Sequence, residues 1–268
     1  VKKRKAAMQS LNIAATGMLA QQTNVEVISN NIANMNTNGY KRQRTQFQDL
    51  LYQDLRRVGT NSSDAGTILP SGIQLGVGVR IASTYRVSEQ GSMILTDNPL
   101  DLGIRGSGFF QITMPDGNTG YTRDGSLQIS QTGTIVTSDG YTVQPGITVP
   151  SDALGVTINE SGQVFAKIDG QVAESNLGQI QMANFANPAG LENLGNNLLG
   201  ETSASGAPTT GTPGSAGFGG LLQGFVESSN VDPVHEITDL ITAQRAYELN
   251  SKIIETSDQM MATANNVR

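Results

Sequence analysis

Apolar residues recur at alternating steps of three and four near both ends of this chain, and this periodicity constrains its fold more than any other feature. Between Leu11 and Met35 there is no proline and only one glycine, Gly17. The N-terminal stripe, apolar at every position but one, comprises Leu11, Ala14, Met18, Gln21, Val25, Ile28, Ile32 and Met35. Such spacing puts these side chains on one helix face. The stripe predicts a long N-terminal helix, with Gly39 in the left-handed cap position beyond it.

The C-terminal stripe predicts a second long helix. Asp232 supplies an N-cap side chain, and Pro233 suits the first helical position. The stripe that follows comprises Leu240, Ala243, Tyr247, Asn250, Ile254, Ser257, Met261 and Ala264. Within it, Asn250 is predicted to be a buried polar residue that fixes the register of a helix–helix seam.

Each helix carries more apolar side chains than one seam covers. The additional residues are Ile13, Ala15, Leu19, Val27, Ile237, Ile241, Leu249 and Ile253. Two interpretations follow from the pattern alone. In the first, the helices form a stalk folded back on the rest of the chain. In the second, they pack against copies of the same chain, and head-to-tail contacts that do not close into a ring generate a helical filament.

The middle of the chain lacks the helical periodicity of the two ends and has a β-type pattern instead. From about residue 72 to 225, short β-prone runs alternate with Asp-Gly turns at hairpin-like spacing. The predicted fold class is therefore α+β: long N- and C-terminal helices form a coiled-coil-like stalk, with a central antiparallel β domain. The predicted boundaries are 1–40 and 228–268 for the terminal helical domain, 41–71 for a connecting arm and 72–227 for an outer β-rich domain.

Charge and composition exclude several classes of function. The net charge of −6 argues against a nucleic-acid binder, which needs a basic face. No cysteine is present, so thiol nucleophiles and cysteine-ligated zinc are excluded, and no apolar run is long enough to insert into a membrane. The basic start of the chain lacks the apolar region of a cleaved signal peptide.

The residues that catalysis would need are few. His235 is the only histidine, which leaves no histidine pair for a metal. Residues 106–108 (GSG) lack the third glycine and the helix of a dinucleotide loop. Asp97 and Asp101 are interpreted as a turn residue and a strand start rather than a glycosidase carboxylate pair. We therefore predict no catalytic residue, no metal site and no cofactor.

Several motifs resemble those of the flagellar axial proteins, the rod and hook family. They are residues 29–42 (SNNIANMNTNGYKR), 102–110 (LGIRGSGFF), 121–125 (YTRDG), 223–231 (QGFVESSNV), 244–248 (QRAYE) and 258–261 (DQMM). The resemblance extends from Met8 to the C-terminus, and residues 1–7 precede the usual start of the family. Residues 47–52 (FQDLLY) and 69–80 (LPSGIQLGVGVR) are similar to those of distal rod members, with proximal rod members as the alternative.

This resemblance implies a subunit of the bacterial flagellum that does no chemistry. Copies would stack helically into a hollow driveshaft that spans the periplasm and transmits torque. The implied partners are other copies, proximal rod proteins, hook protein, the peptidoglycan and outer-membrane bushing rings, and the export apparatus, which would replace a cleaved signal peptide. A secreted binding module and a cell-wall glycosidase are the alternatives from other classes.

Two surfaces are predicted to join subunits. The helical surface comprises Leu11, Ala14, Met18, Val25, Ile28, Ile32, Met35, Leu240, Ala243, Tyr247, Ile254 and Met261. The second surface is an extended arm between the basic residues at 41–44 and the β domain, and this arm would stiffen the polymer. Its predicted contacts are Arg56, Arg57, Leu69, Ile73 and Leu75.

Overall fold

The computed structural model describes residues 2–56, 71–171 and 173–266. The chain forms two compact units. The first, here the helical unit, comprises residues 1–32, 43–85 and 233–268. The second, here the β unit, comprises residues 33–42 and 86–232. The described residues therefore confirm the α+β class, with two helices and a large antiparallel β region.

The helical unit contains both long helices. Helix α1 spans Lys2–Ala33 and helix α2 spans Pro233–Asn266. Proline at the first position of α2 confirms the predicted start, since its missing N–H has no partner in a first helical turn. After α1, Gly39 has φ +68°, which confirms its predicted left-handed conformation. Helix α1 begins earlier than the stripe suggested, because residues 2–10 also contain no helix breaker.

Residues 43–56 and 73–86 form a long two-stranded ribbon. Its strands are β1 (Gln43–Asp49), β2 (Tyr52–Arg56), β3 (Ile73–Gly76) and β4 (Val79–Arg86). Strand β1 pairs with β4, and β2 pairs antiparallel with β3. Hydrogen bonds from Leu50 N to Gly78 O and from Val77 N to Leu51 O join the two halves. The predicted boundaries between the terminal helical domain, the connecting arm and the β-rich domain stay a prediction.

The β unit is built from sixteen described strands and one short 3₁₀ helix, Pro188–Gly190. The strands are β5 (Met93–Leu95), β6 (Leu102–Arg105), β7 (Phe109–Thr113), β8 (Thr119–Thr122), β9 (Leu127–Ile129), β10 (Ile135–Thr137), β11 (Thr142–Val143), β12 (Ala153–Ile158), β13 (Gln163–Ile168), β14 (Ser175–Gln179), β15 (Met182–Asn184), β16 (Glu192–Gly195), β17 (Leu198–Gly200), β18 (Thr209–Gly211), β19 (Gly220–Gln223) and β20 (Phe225–Glu227). Most are three to six residues long, as the closely spaced turns predicted.

The sheets of the β unit close around one main core. The largest sheet has the order β16-β17-β8-β7-β11-β10-β9, with β15 between β7 and β18. Strands β12-β13-β14 form a second sheet, and two further pairs are β19-β6 and β20-β5. The core between them includes the fully buried side chains of Leu102, Ile104, Phe110, Ile112 and Val164. Strands β19 and β20 thus tie the last residues of this unit to its first strands.

Candidate assembly surfaces and the motif junction

Helices α1 and α2 run antiparallel and contact one another at intervals of one or two heptads. Near one end, the hydroxyl oxygens of Ser10 and Ser257 are 3.2 Å apart. At the next contact, a Cβ added to Gly17 would lie 2.9 Å from Nδ2 of Asn250, so the missing side chain makes room for the amide. At the other end, Asn31 Nδ2 donates to Glu236 Oε2 at 3.1 Å. A step of seven residues toward the C-terminus of α1 therefore corresponds to a step of seven residues toward the N-terminus of α2.

The contacts between the helices include small and polar side chains as well as apolar ones. Asn31, Glu236 and Ser257 are almost fully buried, and Asn250 is half-buried. Sequence reasoning identified Asn250 but missed Asn31 and Glu236. The missed signal is the recurrence of Ser10, Gly17 and Asn31 at whole heptads. Paired polar groups of this kind stabilise one register, because any shift leaves a buried donor or acceptor without its partner.

The predicted stripe residues differ in how far their own subunit covers them. Ala14, Ile28 and Ala243 are buried within the subunit. The half-buried ones are Leu11, Met18, Val25, Ile32, Leu240, Ile254 and Met261. Met35 and Tyr247 are exposed. Their role in packing between subunits stays a prediction.

Large apolar side chains also project from the helices into solvent. The most exposed are Val234, Leu19, Leu249 and Met260, at 75%, 65%, 61% and 60%. Ile13, Ile237, Ile241 and Ile253 are exposed by between 41% and 48%. The sequence-based argument that the apolar surface exceeds one seam therefore agrees with the described helices. Contiguous apolar surface left in solvent is typical of an interaction site.

The outer half of the ribbon is a second apolar surface. Leu51, Leu55, Ile73 and Leu75 are exposed by 87%, 59%, 51% and 45%. Ile73 and Leu75, two of the predicted arm residues, lie in β3 opposite β2. Arg57 and Leu69 lie outside the described residues. Arg56 ends strand β2, and its side chain is likewise not described.

Glu227 is the centre of a buried charged cluster that joins three separate parts of the β unit. Its side chain is 1% exposed. Oε1 accepts hydrogen bonds from Lys41 Nζ and from Gly91 N, the latter at 2.9 Å. Oε2 accepts a hydrogen bond from Arg123 Nε at 2.6 Å. We call Lys41, Arg123 and Glu227 the motif junction, since each lies in a different sequence motif. Sequence reasoning predicted no role for Arg123 or Glu227.

Arg123 also binds the turn between β6 and β7. Its Nη1 donates to Gly108 O at 2.7 Å, and its Nη2 donates to Gly106 O at 2.7 Å and to Ile104 O at 3.2 Å. The guanidinium thus bonds three carbonyls and one carboxylate. A buried cation needs such complete pairing, because an unsatisfied charge costs several kcal/mol. The GSG turn is therefore an arginine-binding turn and not a nucleotide loop.

Asn230 provides a second connection beside the motif junction. Its Nδ2 donates to Val87 O and Glu89 O, each at 3.0 Å. Its Oδ1 accepts from Arg42 N at 2.7 Å. One amide therefore ties the residues after β20 to the chain on both sides of the ribbon, and a substitution that removes it breaks three hydrogen bonds.

Gly39 packs directly on the backbone of the YTRDG motif. A Cβ at this position would lie 2.8 Å from the backbone carbon of Arg123, and φ is +68°. We expect Gly39→Ala to destabilise the β unit by about 2–4 kcal/mol, from left-handed strain and from this close contact. Gly140→Ala is the matched control, because Gly140 has φ +83° with open space around it. Urea unfolding should show a loss of only about 1–2 kcal/mol for the control. Equal losses in the two variants would contradict the close contact.

The motif junction also predicts an acid transition. Burial acts to raise the pKa of Glu227, but the charge of Arg123 and the hydrogen bond from Lys41 outweigh it, so this pKa lies below its ordinary 4.5. A lowered folded-state pKa stabilises the fold above the unfolded-state value, and that contribution is lost as pH falls through the folded-state value. Unfolding free energy of the β unit should therefore decline below about pH 4.5. In Glu227→Gln this part of the pH dependence should vanish, and an unchanged pH profile would contradict the assignment.

The residues considered above as catalytic candidates are Asp97, Asp101 and His235. Asp97 has φ +58° and lies between β5 and β6. Asp101 is buried, and its carboxylate accepts hydrogen bonds from Thr96 Oγ1 at 2.6 Å and Asn98 Nδ2 at 3.0 Å. His235 is exposed in the first turn of α2. Within residues 2–56, 71–171 and 173–266, no three His, Asp or Glu side chains gather as a metal site would require.

Comparison with known proteins places these features in one family. Three family models match: flagella basal body rod protein at residues 11–41, the flagellar hook protein FlgE/F/G D1 domain at 103–166, and the flagellar basal body rod FlgEFG protein C-terminal region at 222–267. The flagellar basal-body rod protein FlgG of Caulobacter vibrioides is 58% identical over 97% of this chain and all of its own length. The chain belongs to the FlgG family of flagellar basal-body rod proteins. It is a structural subunit of the flagellar axis.

Distant members of the FlgG family retain the full length of the match. The FlgG proteins of Borreliella burgdorferi and Bacillus subtilis are 48% and 38% identical, each over 97% of this chain and 99% of their own length. Each of the three matched regions contributes one residue to the motif junction, namely Lys41, Arg123 and Glu227. None of the described helices of this FlgG-family chain is apolar and long enough to span a membrane.

Proposed function

We propose that this chain is the distal rod subunit, which polymerises helically into the hollow driveshaft that carries torque from the flagellar motor to the hook. The single observation that carries this proposal is the pair of long helices whose large apolar side chains remain exposed in the isolated subunit. The relatives that match over their full length are named as basal-body rod proteins, which supports the same role. The function requires packing and stiffness and uses no catalytic residue and no cofactor.

In this proposal the helices act as a coiled-coil-like stalk that forms the inner tube. The polar contacts between α1 and α2 fix how the two helices of one subunit align, while the exposed residues Leu19, Leu249 and Ile253 pack against neighbouring copies. Burial of apolar area contributes about 25 cal/mol per Å². Because every subunit repeats the same contacts, a modest gain in each produces a stiff polymer.

The ribbon acts as the arm between subunits. Its outer half presents Leu55, Ile73 and Leu75 to solvent, and apolar side chains on a two-stranded ribbon have little to pack against in their own chain. Contact of this arm with a neighbouring copy would restrain sliding between subunits. Arg56, Arg57 and Leu69 belong to the same proposed surface.

The remaining partners follow from the proposed position. A distal rod meets proximal rod proteins at one end and hook protein at the other, and it passes through the peptidoglycan and outer-membrane bushing rings. The rod spans the periplasm, and its subunits travel through the flagellar export apparatus without a cleaved signal peptide. A proximal rod position is the second candidate, because the matched family models are shared among FlgE, FlgF and FlgG proteins.

The test is replacement of the native distal rod gene in a flagellated bacterium by the gene for this chain. We expect basal bodies with full-length rods and attached hooks, because the chain would supply every contact of the distal rod. Basal bodies are counted by electron microscopy beside a strain with the gene deleted, which should stop at a short rod. Short rods in both strains, with this chain present in the cell, would refute the distal position.

A further inference from the structure

The most buried strand of the β unit pairs with a strand from the other end of the unit's sequence. Three successive residues of β6 are buried, and Leu102 and Ile104 are 0% exposed. Among the described residues, the one strand that pairs with β6 is β19, in which Leu221 lies opposite Ile104. Strand β5 likewise pairs with β20. The strands that begin the unit are thus completed by the strands that end it.

The backbone of β6 depends on this distant partner for its hydrogen bonds. The bonds continue past both ends of the strand pair, from Gly219 N to Ser107 O at 2.7 Å and from Gly224 N to Asp101 O at 2.8 Å. A buried backbone N–H or C=O group without a partner loses its bonds to water and gains none in return. Without β19, the β unit would therefore have unsatisfied backbone groups beside its main core.

Strand β19 also binds the second sheet, β12-β13-β14. Leu221 N donates to Glu160 O, in the turn between β12 and β13, at 3.1 Å. The Gln223 side chain accepts a hydrogen bond from Ile158 N at 3.0 Å and donates one to Val156 O at 2.9 Å. The Leu221 side chain is 2% exposed and belongs to the main core. One strand from the end of the unit therefore completes the surroundings of both β6 and β12.

The carboxylate of the motif junction also comes from the end of the unit. Lys41 and Arg123 precede Glu227 by 186 and 104 positions. The backbone of Glu227 is held as well, since Gly39 N donates to Glu227 O at 2.7 Å. Burial of two cations without their carboxylate is strongly unfavourable. Lys41 and Arg123 therefore have no stable buried position until Glu227 is available.

We propose that residues 219–227, here the closing segment, determine when the β unit folds. The segment supplies the partner of β6, the bonds to the second sheet and the carboxylate of the motif junction, so the unit stays unfolded until the segment is free to pair. Pairing between distant residues is also slow, because a long loop must close first. The use of this delay, which keeps the subunit unfolded as it passes through a narrow export channel, rests on the proposed function.

Folding kinetics of the full chain test this role of the closing segment. Leu221→Ala removes a core side chain from the segment. Leu199→Ala is the matched control, because Leu199 is 9% exposed in a separate apolar cluster of the same unit. We expect Leu221→Ala to slow refolding from urea more than about tenfold and to change the unfolding rate less than about threefold, since the segment is already packed in the transition state. The control should chiefly accelerate unfolding.

Pulsed hydrogen–deuterium exchange with mass spectrometry measures these rates in peptides from residues 102–129. If Leu221→Ala refolds at the original rate and only unfolds faster, the segment docks on a unit that is already folded, and the proposal is overturned. Equal slowing of refolding by the two variants would also overturn it, because the closing segment would then have no special place in the transition state.

The unaltered chain provides a second test that holds even if Leu221→Ala fails to fold. Protection of residues 102–113 and 219–227 from exchange should appear in the same kinetic phase of refolding. Protection of residues 102–170 before residues 219–227 would refute the role of the closing segment. Both measurements use the free subunit, whereas the proposed function is tested by rod formation in cells, so failure of one is distinguishable from failure of the other.

Discussion

Glu227→Gln should lower the unfolding free energy of the β unit by about 3–5 kcal/mol, the largest stability change we expect from one isosteric substitution. The variant leaves Lys41 and Arg123 buried without their countercharge, and removing one partner of a buried ion pair has this typical cost. For a unit of this size, the midpoint of thermal unfolding should fall by roughly 10 °C. Hydrogen–deuterium exchange of peptides from residues 102–129, followed at increasing urea concentrations, measures the loss in the β unit alone.

Glu160→Gln is the matched control for this prediction. Glu160 pairs with Arg105 at 2.7 Å, but both side chains are 62% exposed. Water already solvates both charges, so the control should lose no more than about 1 kcal/mol. If Glu227→Gln were no more costly than Glu160→Gln, the motif junction would not stabilise the fold as described.

Leu249→Asp should abolish rod assembly while leaving the subunit folded. Leu249 is 61% exposed, so the monomer should lose only about 0.5–1 kcal/mol, mainly through the lower helix propensity of aspartate. In the proposed polymer the same position enters an apolar contact, where an unpaired carboxylate costs several kcal/mol in every subunit. We expect hook-bearing basal bodies to fall more than about tenfold, since each 1.4 kcal/mol is a factor of ten in association. Electron microscopy of basal bodies and soft-agar motility measure this loss.

Leu249→Met preserves the apolar surface and should assemble normally. A substitution at Ile28 would test the same idea less cleanly, because Ile28 is 6% exposed and its replacement by aspartate also destabilises the subunit. Ile254 is half-buried and has the same drawback. Motile cells with intact rods made of Leu249→Asp would show that this face of α2 takes no part in assembly.

The sequence predicted the helices well because their signals are local. Period, breakers and capping residues act within a few residues, and they indicated the start of α2 at Pro233 and the left-handed turn at Gly39. Short strands between Asp-Gly turns were also predictable in kind. Their order in the sheets was not, because pairings such as β19 with β6 join residues more than a hundred positions apart.

The contact between the two helices could not be predicted from the heptad pattern. A heptad stripe identifies which residues are apolar, but it does not say which of several apolar faces meets the partner. Here the subunit places Asn31 and Glu236 in its own seam and leaves Leu249 exposed. In the proposed polymer such a chain has one interface within the subunit and another between subunits, and the interface within the subunit can include buried polar groups.

The motif junction could not be predicted from the sequence either, because its three residues are far apart along the chain. Lys41, Arg123 and Glu227 are ordinary charged residues in sequence, and a charged residue is usually solvated. Only the folded chain shows that they meet. The signal available beforehand was that each lies inside a motif rich in glycine or in small polar residues, where backbone approaches closely enough to enclose a charge.

Helical reconstruction by electron cryo-microscopy of distal rods built from this chain tests the central claim most directly. The account predicts that α1 and α2 of every subunit line the channel, with Leu249 and Ile253 buried against a neighbouring copy and the β unit at larger radius. A reconstruction in which the helices contact only their own subunit, or in which the β unit lines the channel, would contradict it.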